Sequence, residues 1–203
     1  MDYIARYGLE FNPFLKNSRD IYIETEETKE VRFRLDYLSR TKGFGLLVGA
    51  PGLGKTTALR SFAASLSPAN FKVIYTGLST LTLQDFYRHL ASCLGAQPCY
   101  HKTDNFRLIQ SAINHLAVEK RITPFFIIDE ANYLNTAVLN DLKILFNFEM
   151  DSRDRAAILL AGQPQLNSIL SLNAHEAMRQ RLVMNYSMEG LSKQEGRAYI
   201  TGK

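Results

Sequence analysis

No apolar stretch approaches the roughly 20 residues that a membrane helix needs, so nothing in these 203 residues reads as a span. The opening Met1-Asp2-Tyr3-Ile4-Ala5-Arg6 lacks the apolar core and cleavage site of a secretory signal. Cysteine is scarce: Cys93 and Cys99 are the only two. A single pair makes no disulfide framework, and the expected compartment is a reducing cytoplasm. The four histidines, His89, His101, His115 and His175, are scattered without metal-ligand spacing, which argues against a histidine-built metal centre. Internal repeats and low-complexity segments are absent. What remains is ordinary for a globular chain, 46% apolar and 22% charged, and long enough for one sizeable α/β domain. A net charge of +4 permits a polyanionic partner without demanding one.

Against that background one segment stands out. Residues 49–56 read Gly49-Ala50-Pro51-Gly52-Leu53-Gly54-Lys55-Thr56, the spacing G-x-x-x-x-G-K-[ST] of a phosphate-binding loop. The run 44–48 before it is apolar, and 56–66 after it has helical spacing, so the motif sits between a strand and a helix as it must. Its glycines let successive backbone N–H groups turn toward phosphate oxygens. The helix that follows offers its positive end to the same anion. Lys55 is placed for the β- and γ-phosphates of a nucleotide, and the Thr56 hydroxyl for Mg²⁺.

A second half-site follows at Thr123-Pro124-Phe125-Phe126-Ile127-Ile128-Asp129-Glu130. The unbroken apolar run reads as a strand buried on both faces. Two carboxylates then stand where the strand ends, the place where open α/β sheets bind ligands. Asp129 is expected to hold Mg²⁺, directly or through water, and Glu130 to orient or deprotonate an attacking water. The adjacent glutamate favours hydrolysis over mere nucleotide binding.

The rest of the chain alternates strands and helices. Thr25 is a helix cap ahead of Glu26 and Glu27, with the helix running to about residue 39. Strands are expected at 71–76, 156–160 and 182–188. Helices are expected over 83–94, ended by Gly95, and over 106–116 and 138–148. Residues 166–181 are broadly helical with an interruption near Asn173, and a polar helical segment starts at Ser192. This order implies a mainly parallel, five-stranded sheet covered on both faces, a three-layer αβα architecture.

The order of motifs resembles the AAA+ ATPases of the P-loop NTPase class. More narrowly it resembles the bacterial group that holds the ExeA-type secretion ATPases and the transposition helpers related to MuB and TnsC. The residues that carry the likeness are Tyr7-Gly8-Leu9 through Asn12-Pro13-Phe14, the loop from Gly49 to Thr57, and Asp129-Glu130-Ala131-Asn132. Leu142 to Asn147, Ala161-Gly162-Gln163-Pro164-Gln165-Leu166 and Met178-Arg179-Gln180-Arg181-Leu182 complete the set. The resemblance implies an N-terminal extension over 1–24, an ATPase core over 25–190, and over 191–203 the start of a helical lid that is largely missing. The chain would then be a fragment or a natural short form.

The resemblance also implies roles. ATP with Mg²⁺ would be held by Gly49, Ala50, Pro51, Gly52, Leu53, Gly54, Lys55, Thr56 and Thr57. Gln163 stands where these ATPases place a polar sensor; a turn glutamine before a proline would look the same. Arg181, with Arg179, stands where a neighbouring subunit's arginine finger originates; two helix-end arginines favoured by the dipole are the alternative. Thr76 could restrain Glu130 or simply cap its strand. Two jobs fit. The first is a cytoplasmic transposition helper that assembles on duplex DNA and recruits a transposase, without a membrane partner. The second is a secretion-type ATPase acting in cell-envelope assembly. For the first, the stretch Tyr100-His101-Lys102-Thr103 with Arg107 would contact DNA phosphates through Lys102 and Arg107. An ordinary solvated loop is the alternative.

Overall fold

The computed structural model describes residues 25–77 and 80–202, together with Arg6 and Gly8. The expected N-terminal extension, with its Asn12-Pro13-Phe14 segment, therefore lies outside the described residues apart from those two. Elements follow in the order α1 (Glu26–Thr41), β1 (Gly43–Gly49), α2 (Lys55–Ser65), β2 (Phe71–Thr76), α3 (Leu83–Cys93) and α4 (Lys102–Asn114). After α4 come β3 (Thr123–Ile128), α5 (Thr136–Leu145), β4 (Ala157–Gly162), α6 (Gln165–Ser171), α7 (Glu176–Arg179), β5 (Leu182–Met188) and α8 (Lys193–Gly202).

Local chemistry explains most of the helix starts. Thr25 caps α1 in a reciprocal box with Thr28, the Thr25 hydroxyl accepting the Thr28 N–H at 3.2 Å. Thr82 caps α3 by accepting from Asp85 N, and Asn135 caps α5 by accepting from Val138 N at 2.9 Å. Helix α4 begins at Lys102, earlier than the expected 106, and runs into a single π turn, His115–Glu119. Lys102 and Thr103 are thus helical residues, as Arg107 is in the expected helix.

The five strands form one sheet in the order β2-β3-β4-β1-β5, every neighbouring pair parallel. Pro124 is tolerated within β3 because there the strand pairs with β2 alone, at Lys72; pairing with β4 starts one residue later, at Phe125. The period-2 alternation of side chains divides the core. Phe44, Leu46, Val48, Ile74, Phe126, Ile128, Ile158 and Leu160 pack on one face, against α3, α4, α5 and α6. Leu47, Phe125, Ile127 and Leu159 pack on the other, against Leu35 and Leu38 of α1 and Leu59 and Phe62 of α2. Each such fully buried Leu, Ile or Phe contributes about 1.5–3 kcal/mol relative to exposure. This is the three-layer αβα architecture that the alternation of strands and helices predicts.

The layers also locate the site. After β1 the chain crosses to α2 on one face, whereas after β4 it crosses to α6 on the other. Strands β1 and β4 are neighbours, so their outgoing connections diverge. A crevice opens at the carboxyl ends of such a pair.

Candidate nucleotide site

The phosphate loop fills that crevice. Gly52 and Gly54 have φ of 84° and 83°, left-handed conformations that glycine alone adopts without strain. They reverse the chain between buried Gly49 and the start of α2. No side chain caps α2, so its first N–H groups and its positive end face the loop. Residues 50–52, 54, 56 and 57 are exposed, while Lys55 is only 7% exposed. The Lys55 ammonium donates to the carbonyls of Gly49 at 2.7 Å and Ala50 at 2.9 Å. Two of its three donors therefore hold it across the loop that it closes.

Beyond β3, Asp129 is 3% exposed and is held from three sides. Its Oδ2 accepts the Thr56 hydroxyl at 3.0 Å and the Tyr75 hydroxyl at 3.0 Å, and its Oδ1 accepts the Glu130 N–H at 2.9 Å. Its own N–H donates to Thr76 O at 2.8 Å. Desolvation, and then the Asp129 carboxylate, push the Tyr75 phenol up to about 12. Glu130 takes φ 52° and ψ 35°, a left-handed conformation that costs a non-glycine residue on the order of 1–3 kcal/mol. Its Oε2 is buried and has no hydrogen-bond partner among the described residues.

Gln163 stands at the end of β4, between the two half-sites. Its N–H donates to Asn132 Oδ1 at 3.0 Å. Thr76 does not restrain Glu130: its hydroxyl meets His89 Nε2 of α3 at 2.8 Å, on the face of β2 opposite to Tyr75.

The arginines lie elsewhere. Strand β5 runs parallel to β1, with Leu182 beside Phe44 and Met188 beside Gly49. Arg181 is therefore a strand length, about 20 Å, from the phosphate loop of its own chain. Its guanidinium donates to Lys143 O on α5. Arg179 is exposed and donates to Ser171 O at 2.9 Å. Lys102 is nearer the site's end of the sheet. Gln84, in the first turn of α3, donates to Tyr100 O at 2.6 Å, so the extended stretch before α4 has returned to the strands' carboxyl ends. There Lys102 pairs with Asp141 and lies 5.4 Å over the Tyr87 ring; Arg107 is exposed.

Two residues of the site carry no role in the sequence reading, Tyr75 and Asn132. Both act through register. Tyr75 pairs with Ile127, so Asp129, two residues on, shares its face. Asn132 meets Gln163 only because β3 and β4 are neighbours.

A phosphate loop closed by a lysine, with its threonine hydroxyl on the carboxylate that ends β3, has the geometry of a P-loop site. The AAA domain family matches this chain over residues 38–170, and the chain belongs to that family. It is 31% identical over 205 residues to General secretion pathway protein A of Aeromonas hydrophila, covering 98% of this chain and 37% of that protein. The chain thus spans little more than a third of this relative's length. Among solved structures it is similar to Cdc6p of Pyrobaculum aerophilum, with TM-score 0.64 and 18% identity over 98% of this chain and 52% of that one. It is also similar to the ORC2 protein of Aeropyrum pernix, solved as ADPNP–ADP complexes, with TM-score 0.65 and 15% identity over 90% of this chain and 53% of that one. At such identities the structural likeness shows the fold.

Proposed function

We propose that this chain is a Mg²⁺-dependent ATPase that acts in assemblies of its own copies and serves cell-envelope secretion from the cytoplasmic side. The observation that carries hydrolysis is the Glu130 carboxylate. One of its oxygens is buried without a partner among the described residues, beside an aspartate whose two carboxylate oxygens are engaged. An oxygen withheld from other bonds is what a water-orienting base requires.

The residues divide the work. Backbone N–H groups of residues 52–57, at the loop and the α2 terminus, hold the phosphates, and Lys55 places its charge on the β- and γ-phosphates. Thr56 Oγ1 and Asp129 Oδ2 are hard oxygen donors 3.0 Å apart, which suits Mg²⁺. Once bound, Mg²⁺ would neutralise charge on the transferred phosphoryl group. Glu130 orients the attacking water and takes its proton, giving ADP and phosphate. Gln163, fixed by Asn132, stands at the γ-phosphate end of the crevice as a polar sensor. Arg181 is about 20 Å from its own loop by strand length, which supports its acting on a neighbouring subunit's nucleotide, with Arg179 beside it.

The secretion role rests on the relative that matches 98% of the chain. A transposition helper has less support, because Lys102, one of its two expected DNA contacts, is already paired with Asp141. Among the described residues no helix is long and apolar enough to cross a membrane. Phosphate release from Mg²⁺–ATP tests the chemistry, and fluorescence anisotropy with duplex DNA at low salt tests the role. ATP hydrolysis without DNA affinity is the expected result. Tight, ATP-dependent, sequence-tolerant DNA binding would reverse the order of the two roles.

A further inference from the structure

A phenol reaches the metal-binding carboxylate from the strand next door. In β2, Ile74 points into the layer of α3 to α6 while Val73 points to that of α1 and α2. Alternation puts Tyr75 with Val73. In register Tyr75 faces Ile127 and Thr76 faces Ile128, so Asp129 is the diagonal neighbour of Tyr75 on one face, within reach of a long aromatic side chain. The Tyr75 hydroxyl donates to Asp129 Oδ2 at 3.0 Å, the same oxygen that accepts from Thr56 at 3.0 Å. The ring itself is 52% exposed, so its burial does not explain its place.

We propose that Tyr75 is a positioning residue for the metal site: its hydroxyl sets the rotation of the Asp129 carboxylate and so the affinity of the site for Mg²⁺. This rests on the reading of Thr56 and Asp129 as the metal-holding pair. Asp129 Oδ1 accepts the Glu130 N–H, and Oδ2 accepts both the Thr56 and the Tyr75 hydroxyls. Thr56 donates its single proton to Oδ2 and keeps its lone pairs for the ion, so the hold on Oδ2 from the strand side falls to a second donor. The Tyr75 hydroxyl supplies that donor, reaching Oδ2 from β2 at the same 3.0 Å as Thr56. Outer-shell partners of this kind change metal affinity by about 10–100-fold when removed.

The test is a Mg²⁺ titration of nucleotide binding, using a fluorescent ADP, on the wild-type chain, Tyr75→Phe, Tyr75→Leu and Asp129→Asn. Tyr75→Phe should raise the Mg²⁺ concentration for half-effect about tenfold. Nucleotide affinity in excess EDTA should stay at the wild-type value, and the Tm should fall by no more than the loss of one hydrogen bond brings, a few degrees. Turnover should be restored at saturating Mg²⁺, a shift in the activation constant rather than in kcat. Tyr75→Leu should behave like Tyr75→Phe if the hydroxyl is what acts. An effect in Tyr75→Leu alone assigns the residue to packing and overturns the proposal. If Asp129→Asn loses Mg²⁺ dependence while Tyr75→Phe titrates as wild type, the proposal fails and the metal pair stands. If wild type and Asp129→Asn show the same Mg²⁺ dependence, the metal-pair reading fails, and the role of Tyr75 with it.

Discussion

Asn132 Oδ1 accepts the Gln163 N–H at 3.0 Å, and this contact fastens the loop after the acidic strand to the end of β4. Gly162 makes it possible. A Cβ there would stand 2.6 Å from Asn132 Oδ1 and 3.1 Å from Asn132 N, so the two loops close only over a glycine. The polar group expected to read the γ-phosphate is thereby tied to the segment that carries Asp129 and Glu130.

Gly162→Ala should therefore destabilise the protein by about 1–3 kcal/mol, the usual cost of overpacking. It should slow ATP turnover while leaving nucleotide affinity near wild type, because the phosphate loop belongs to β1. Urea denaturation, phosphate release and nucleotide titration separate the three. Most of the strain falls on the Asn132 side chain, so Gly162→Ala with Asn132→Ala should cost less stability than the two single changes added together. Strict additivity would show that the contact is not the source of the strain.

Lys55→Ala and Glu130→Gln should fail in different ways. The first removes a buried ammonium aimed across the loop and should weaken ATP binding by two orders of magnitude or more, on the order of 3 kcal/mol. The second keeps the shape of the side chain and removes its basicity. It should bind ATP normally and lower turnover by about 10²–10⁴-fold. A fluorescent ATP analogue and a phosphate-release assay distinguish them. Wild-type turnover in Glu130→Gln would exclude Glu130 as the group that orients water.

Much of this was legible in the sequence because it depends on local chemistry. The phosphate loop, its flanking strand and helix, and the acidic strand end are contiguous patterns, and the expected strand limits at 71–76 and 182–188 coincide with Phe71–Thr76 and Leu182–Met188. What was not legible depends on which strands are neighbours. Tyr75 reaches Asp129 through the β2–β3 register, and Asn132 reaches Gln163 because β3 lies beside β4. The start of α4 was missed for a related reason. His101 provides no side-chain cap, and the turn before the helix is held by Asn105 instead. Its side chain accepts from Cys99 N and donates to the carbonyls of Cys99 and His101.

Arg181→Ala should leave ATP binding intact and reduce hydrolysis wherever subunits assemble. Arg181→Lys should restore little, because an ammonium lacks the planar fork of the guanidinium. Mixing Arg181→Ala with Lys55→Ala should recover part of the activity, one protein contributing an intact pocket and the other an intact arginine. Phosphate release across a series of mixing ratios reads this directly. Activity no greater than the sum of the two variants would count against action in trans. The guanidinium also donates to Lys143 O, so Arg181→Ala should lose about 1 kcal/mol of stability from that bond.

His175 gives the fold a weakness toward acid. It is 1% exposed, its Nδ1 has no hydrogen-bond partner among the described residues, and burial followed by the Lys143 charge lowers its pKa from 6.5. The folded state therefore holds this imidazole neutral at a pH where the unfolded chain has begun to protonate it. Stability from this residue is complete above about pH 6.5 and declines as pH falls below that, until the depressed folded pKa is reached. The loss should appear first where His175 sits, at the junction of α6 and α7. That junction leads directly to Arg179 and Arg181, and the carbonyl that Arg181 holds belongs to the same Lys143. His175→Leu keeps a similar volume and removes the titrating group. Urea midpoints measured from pH 7.5 to 5.5 should fall less steeply in His175→Leu than in the wild-type chain, other acid-sensitive groups being common to both. Parallel slopes would mean that the imidazole charges without cost, and that the acid sensitivity of the arginine segment lies elsewhere.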